Sequence, residues 1–177
     1  MSGEQAPHGF LVLRRGRPPE EPFQAGDLVD VYPLVAPLDL TAVSPTLPVL
    51  PPPADPHAAA RTIGAVVHRA RKRLREVSRF TCDCKGTTDP PSLATAVVAD
   101  DDRLWVLVRQ ERVPAAFRQG RGTGPTAWPL HSEPNGAPHV EMTSCGACRR
   151  TWAIALTPTS VTPVAVDRPL FSRRVAE

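Results

Sequence analysis

Cys145-Gly146-Ala147-Cys148 and Cys82-Asp83-Cys84 contain all four cysteines of this 177-residue chain. A C-x-x-C turn directs two sulfur atoms to one point, and the side chains of a C-x-C pair in an extended segment lie on one face. Zinc prefers four tetrahedral ligands, and structural zinc sites often consist of four cysteines. We therefore predict that Cys82, Cys84, Cys145 and Cys148 bind one structural Zn²⁺.

Three other interpretations of the cysteines stay open. The cysteines could be buried free thiols, a redox dithiol at Cys145 and Cys148, or the ligands of an iron–sulfur cluster. His139 lies six residues before Cys145 and is an alternative ligand, although we expect an ordinary strand histidine. A catalytic zinc is disfavoured because four cysteines leave no coordination position for water.

The two cysteine pairs, each next to a predicted β-hairpin, resemble a zinc ribbon. The resemblance covers residues 80–157 and implies a small antiparallel β domain that one metal ion clamps. This chain departs from the usual ribbon in having C-x-C as its first pair. Its two pairs are also separated by 60 residues, 85–144, where about 15–20 are common. No particular family within the ribbons is identified.

Composition predicts a modest core and much extended backbone. Only 5% of the residues are aromatic, so the core depends on aliphatic side chains, and the 22 prolines compare with roughly nine in an average chain of this length. The net charge is +3, but residues 57–80 carry seven basic side chains and one acidic one. This window holds the only concentrated positive charge.

Residues 55–79 have the pattern of an amphipathic basic helix. Asp55 is a suitable N-cap, Pro56 fits the first helical position, and apolar residues recur at helical spacing from Ala59 to Val77. Arginine and lysine suit phosphate. We predict nucleic-acid contact through seven residues: Arg61, Arg69, Arg71, Lys72, Arg73, Arg75 and Arg79. A solvated helix face and an acidic protein or lipid partner are the alternatives.

Five segments follow from these patterns, and together they predict an α+β protein. Residues 1–32 contain two short strands (10–15 and 28–32), residues 33–54 form an extended Pro-rich arm, and residues 55–79 form the helix. Residues 80–157 form the zinc-ribbon-like β domain, with strands at 94–99, 104–110, 138–144 and 151–157 and a long loop at 114–137. Residues 158–177 form a tail with one candidate strand at 161–166.

No catalytic motif is evident. The sequence lacks a P-loop, G-x-G-x-x-G, H-E-x-x-H and G-x-S-x-G, and its five histidines are scattered without ligand spacing. We therefore expect neither enzymatic activity nor a small-molecule substrate. No stretch resembles a signal peptide or the roughly 20 apolar residues of a membrane span. We expect a soluble cytoplasmic protein, in which cysteines are thiols or metal ligands.

Two functional hypotheses follow. In the first, the chain is a non-enzymatic zinc-binding protein that contacts the nucleic-acid phosphate backbone through its basic segment. In the second, it is a structural or adaptor subunit of a larger assembly, and residues 33–54 dock on a protein partner. Eight aliphatic side chains among the prolines of residues 33–56 favour a docked arm over a mobile linker.

Overall fold

Antiparallel β-strands make up the regular structure. The computed structural model describes residues 9–15, 22–34, 38–40, 74–84, 88–98, 104–109, 126–133 and 135–176. Within them, eleven strands follow in chain order: β1 (Phe10–Arg14), β2 (Leu28–Pro33), β3 (Leu38–Asp39), β4 (Arg75–Thr81), β5 (Ser92–Val98), β6 (Leu104–Val108), β7 (Thr126–Pro129), β8 (His139–Ser144), β9 (Thr151–Leu156), β10 (Ser160–Ala165) and β11 (Phe171–Arg174).

The strands form three sheets. Sheet I has the order β1-β2-β11, sheet II the order β3-β10-β9-β8, and sheet III the order β4-β5-β6-β7. All of their pairings are antiparallel. Sheet III is a meander of neighbouring strands, whereas sheet I joins β11 to strands from the beginning of the chain.

Sheet II is the middle layer, because side chains on both of its faces are buried. On β9, Trp152, Ile154 and Leu156 belong to a core cluster that sheet III completes. The intervening Ala153 belongs to a second cluster, with Leu11 of sheet I. This division is the period-2 alternation of a strand. Since neither face of β9 meets water, its sequence is almost continuously apolar.

The predicted α+β class is wrong, because the described residues contain no helix and their regular structure is antiparallel sheet. Arg75–Thr81, at the end of the predicted helix of residues 55–79, is strand β4 and pairs with β5. Phe80 and Cys82 are both buried in the core between sheets II and III. Extended backbone places these two side chains on one face, so tertiary packing overrides the helical period. Residues 55–73 of the predicted helix lie outside the described residues.

Most of the strands expected from sequence alternation are present. The predicted strands at 10–15, 28–32, 94–99, 104–110, 138–144 and 151–157 correspond to β1, β2, β5, β6, β8 and β9, and the candidate strand at 161–166 corresponds to β10. The predicted loop at 114–137 is wrong in part, because it contains β7. In the predicted arm, Leu38 and Asp39 pair with β10 and Leu40 is buried in the core. Pro33 of that arm ends β2, and residues 35–37 and 41–54 of the arm lie outside the described residues.

A polar cluster ties the three strands of sheet I together. Arg15 donates to both carboxylate oxygens of Asp30 on β2, over 3.0 and 2.6 Å. From β11, the Ser172 hydroxyl donates to the same carboxylate over 2.6 Å. The hydrogen bonds from Arg15, reinforced by Ser172, lower the pKa of Asp30 below its ordinary value of 3.8, although burial opposes them. The ionised carboxylate is therefore the form that the folded protein stabilises.

This shift gives a pH prediction. A carboxyl whose pKa is lower in the folded state stabilises the protein at pH values above 3.8, and that contribution is lost as the pH falls through the folded-state pKa. We expect Asp30→Asn to lower Tm at neutral pH, and the difference in Tm from the wild type to shrink below pH 3.8.

Thermal unfolding of both proteins across this range measures the difference. Because the other groups titrate alike in the two proteins, the difference in Tm between them isolates the contribution of Asp30. The exposed Asp89→Asn is the control. A difference in Tm that stays constant through the acid range would contradict the lowered pKa of Asp30.

Candidate metal centre

Two hairpin ends carry the four cysteines. Cys82 and Cys84 follow β4 and precede β5 in sheet III, and Cys145 and Cys148 lie in the turn between β8 and β9 of sheet II. We call these turns knuckle 1 (residues 82–84) and knuckle 2 (residues 145–148). Sheets II and III pack against each other, so the two knuckles meet at one end of their shared core.

The sulfur atoms converge across the two knuckles. Cys82 Sγ lies 3.6 Å from Cys148 Sγ, and Cys84 Sγ lies 3.8 Å from Cys145 Sγ. All four sulfur atoms lie within 4.8 Å of one another. These separations are far longer than the roughly 2.05 Å of a disulfide bond, and the four cysteines are free thiols. The predicted ligands are thus brought together in an arrangement that can hold one metal ion.

Backbone hydrogen bonds shape knuckle 2. The N–H of Arg149 donates to the carbonyl of Cys145 over 3.0 Å, and the N–H of Cys145 donates to the carbonyl of Arg150 over 2.9 Å. Arg149 takes a left-handed conformation, with φ of 61°, which is uncommon for a residue other than glycine. The N–H of Cys148 points at Cys145 Sγ over 3.5 Å. The turn therefore supplies a donor to a sulfur ligand, as metal-binding knuckles do.

The thiols differ in acidity. Burial raises the pKa of Cys82 to about 12 and also raises the pKa of Cys84. Burial acts in the same direction on Cys145, but N–H donors from Cys148 and Ala147 outweigh it and lower its pKa to about 7. Cys145 therefore ionises more readily than Cys82 or Cys84 before a metal ion binds. A metal ion must displace the protons of those two thiols.

Arg150 connects the two knuckles. Its Nη1 donates to Asp83 of knuckle 1 over 2.7 Å, and its Nε lies 3.3 Å from Asp167. Its guanidinium carbon lies 6.0 Å from the centre of the Trp152 ring. The Arg150–Asp83 bridge joins a residue of knuckle 1 to a residue that follows knuckle 2. It places a cation near a centre that carries a net charge of −2 when a divalent ion is bound by four thiolates.

The predicted nucleic-acid-binding residues divide into two groups. Arg75 and Arg79 are exposed on β4, and Arg79 forms an ion pair with Glu76 over 2.9 Å. Five residues lie outside the described part of the chain: Arg61, Arg69, Arg71, Lys72 and Arg73. The helical face that was predicted to group Arg75 and Arg79 with the other five does not exist at β4.

Sequence analysis missed a second cluster of metal-ligand side chains. A ring nitrogen of His131, a ring nitrogen of His139 and a carboxylate oxygen of Glu133 lie within 4.8 Å of one another. The signal in the sequence is a pair of His-x-Glu motifs, residues 131–133 and 139–141, on either side of the turn sequence Pro-Asn-Gly. Each histidine alone lacks ligand spacing, and only the symmetry of the two motifs about the turn indicates that they share a site.

No protein family, curated protein or solved structure was found to match the chain. In the part of the chain that the structure describes, no helix has the length and apolar character needed to cross a membrane.

The Arg150 bridge gives a prediction about metal retention. We expect Arg150→Ala to lower metal affinity by about 10-fold, because removal of a group that positions or neutralises metal ligands has effects of that order. Competition with a chromophoric chelator measures the affinity. Arg168→Ala is the matched control, since that side chain is 78% exposed and lies 3.9 Å from Asp167. Equal metal affinity in the two variants would show that the bridge does not support the centre.

Proposed function

We propose that this chain is a zinc-binding protein in which the metal ion joins sheets II and III. The cross-knuckle sulfur separations of 3.6 and 3.8 Å carry the proposal. Four sulfurs at about 2.3 Å from a tetrahedral zinc ion lie about 3.8 Å apart. These two separations match the spacing, and the other sulfur–sulfur separations do not exceed 4.8 Å, so four sulfurs are near enough to bind one zinc ion.

The proposed role of zinc is structural. Four thiolates complete a tetrahedral shell and leave no position for water or substrate, so we propose no reaction at this centre. Zinc binding would close a loop between residues that are 66 positions apart in sequence, Cys82 and Cys148, and its binding free energy would contribute to folding. Reduced thiols suit the cytoplasm, which is where we place the protein.

Replacement of a single ligand tests this role. We expect Cys148→Ser to lose the zinc and to lower Tm, because zinc binds the folded protein in preference to the unfolded one. Cys148→His should retain much of the zinc and much of the thermal stability, since three cysteines and one histidine also form structural zinc sites. Cys148 is exposed, so the larger ring does not require a change in the core.

Cobalt substitution identifies the ligands. Co²⁺ in a four-cysteine site gives intense thiolate-to-metal charge-transfer absorption, and this band should be present in the wild type, weakened in Cys148→His and lost in Cys148→Ser. Thermal unfolding is measured in parallel, with and without a chelator. An absent charge-transfer band together with a Tm that the chelator does not change would overturn the proposal.

A second proposed property is contact with nucleic-acid phosphates through the basic segment. Its support is the excess of six positive charges in residues 57–80 and the exposure of Arg75 and Arg79 on β4. Counterion release from nucleic acid depends on the number of phosphates neutralised, so it does not require a helix. The ion pair of Arg79 with Glu76 reduces the contribution of that residue.

Salt-dependent binding tests this property. We expect the zinc-loaded protein to bind random duplex DNA or structured RNA with an affinity that falls steeply as salt rises. Replacement of Arg61, Arg69, Arg71, Lys72 and Arg73 together by Gln should remove most of that dependence, and Arg168→Gln is the control for an exposed arginine elsewhere. No binding by the wild type at low salt would favour the adaptor hypothesis. In that hypothesis residues 41–54 would dock on a partner, because residues 38–40 already belong to sheet II and the core.

A further inference from the structure

The two His-x-Glu motifs meet in the connection between β7 and β8. Ser132 bridges Pro138 in antiparallel fashion, and Glu133 exchanges backbone hydrogen bonds with Ala137 and Gly136 around the turn. This register places residue 131 opposite residue 139. Because side chains alternate along a strand, residues 131, 133, 139 and 141 all lie on one face. The hairpin thus gathers two imidazoles and two carboxylates from a short stretch of chain.

His131 is oriented as a metal ligand. Its Nδ1 lies 2.8 Å from the carbonyl oxygen of Pro129, and since a carbonyl only accepts, Nδ1 carries the proton and Nε2 carries the lone pair. Histidine ligands commonly donate their other ring N–H to a carbonyl in this way. His131 is 2% exposed, and its Nε2 is buried without a hydrogen-bond partner. A buried acceptor without a partner is costly, and a metal ion would satisfy it.

His139 lies between two carboxylates. Its Nδ1 is 2.7 Å from Glu133 Oε1, and its Nε2 is 3.3 Å from Glu141 Oε1. Glu141 is fully buried and His139 is 3% exposed, whereas the Glu133 side chain is 42% exposed. Carboxyl oxygens on both sides require a doubly protonated ring, a protonated carboxyl group, or the replacement of one proton by a metal ion.

We propose that His131, Glu133 and His139 bind a second divalent metal ion, with Glu141 as the residue that positions His139. Two neutral imidazoles and two carboxylates have a formal charge of −2, which a divalent ion balances. On binding, the metal replaces the proton between His139 Nδ1 and Glu133, and that proton passes to solvent. The Nε2–H of His139 then donates to Glu141, which forms a carboxylate–histidine–metal relay.

The ligand chemistry selects the class of ion. Two nitrogen ligands and one carboxylate suit zinc and neighbouring first-row transition metals, whereas calcium and magnesium prefer oxygen ligands alone. Ligands at about 2.0–2.2 Å from a tetrahedral ion lie about 3.3 Å apart. The ligand atoms of the cluster lie within 4.8 Å of one another, so metal binding requires their separations to change by no more than about 1.5 Å. Three protein ligands leave one position for water or an external ligand, and the exposed side of Glu133 gives access to it.

The second site is separate from the cysteine centre. His139 is the first residue of β8, and Cys145 follows the last. Six residues of extended strand span about 20 Å. Trp128 packs against His139, with ring centres 4.1 Å apart, and forms an apolar wall on one side of the cluster. A metal ion at each end would therefore hold β8 through different ligands and different neighbours.

Metal counting tests the second site. Apo protein is dialysed against free Zn²⁺ and the bound zinc is measured by elemental analysis, with the expectation of two equivalents for the wild type and one for Glu133→Gln. Glu133 is chosen because its side chain is 42% exposed, so its replacement by Gln leaves the core packing unchanged, and circular dichroism verifies the fold. Glu76→Gln, an exposed carboxyl on β4, is the matched control and should keep two equivalents.

Cobalt titration separates this proposal from the zinc proposal for the cysteines. The cysteine-bound equivalent gives thiolate charge transfer, and the second equivalent should give only weak ligand-field bands, which Glu133→Gln removes. One equivalent with charge transfer in the wild type would overturn the second site and leave the cysteine centre intact. One equivalent without charge transfer in the wild type would overturn the cysteine centre and leave the second site intact. Two equivalents in Glu133→Gln would also overturn the second site.

Discussion

The packing of sheets II and III on one shared core brings knuckle 1 and knuckle 2 together. Cys82 and Cys145 are both buried in the same core cluster as Trp152 and Leu93, so the sulfur atoms are continuous with the hydrophobic interior. Packing brings the hairpin ends together, and the sulfur atoms then lie at separations that suit a metal ion. The Arg150–Asp83 ion pair adds a second link across the same gap. Core packing and ligand geometry thus favour one arrangement of the two sheets.

The middle position of sheet II explains where its polar residues lie. A strand that is covered on both faces has no solvent side, so each polar side chain needs an internal partner. The hydroxyl of Thr143 donates to the carbonyl of Arg109, and Glu141 lies beside His139. Along β8, apolar Val140 and Met142 face sheet I, while His139, Glu141 and Thr143 lie on the other face. The chemistry of the second cluster is therefore a consequence of layer order.

The sequence predicted those parts of the structure that depend on local spacing. The four cysteines converge as their two short pairs indicated, and alternating apolar residues predicted most strands. The helix prediction failed at β4 because the apolar residues of 74–80 fit a helical stripe, while their structure is decided by pairing with β5 and by burial of Phe80. The His131–His139 cluster was missed because it depends on a hairpin register, the pairing of Ser132 with Pro138. That register places residue 131 opposite residue 139. Spacing within a strand is readable from sequence, whereas the register in which two strands pair is not.

Sheet I also constrains the order in which the protein can be completed during synthesis. β1 and β2 are close in sequence and can pair early, but the other edge of β2 pairs with β11, and Val31 lies opposite Phe171. The ribosome must therefore add about 140 further residues before that edge is covered, a separation set by the register itself. Until then β2 has an open edge, which is the kind of surface that recruits foreign strands. The polar pair of Arg15 and Asp30 beside this edge places charge where a nascent chain would otherwise be most prone to associate with its neighbours.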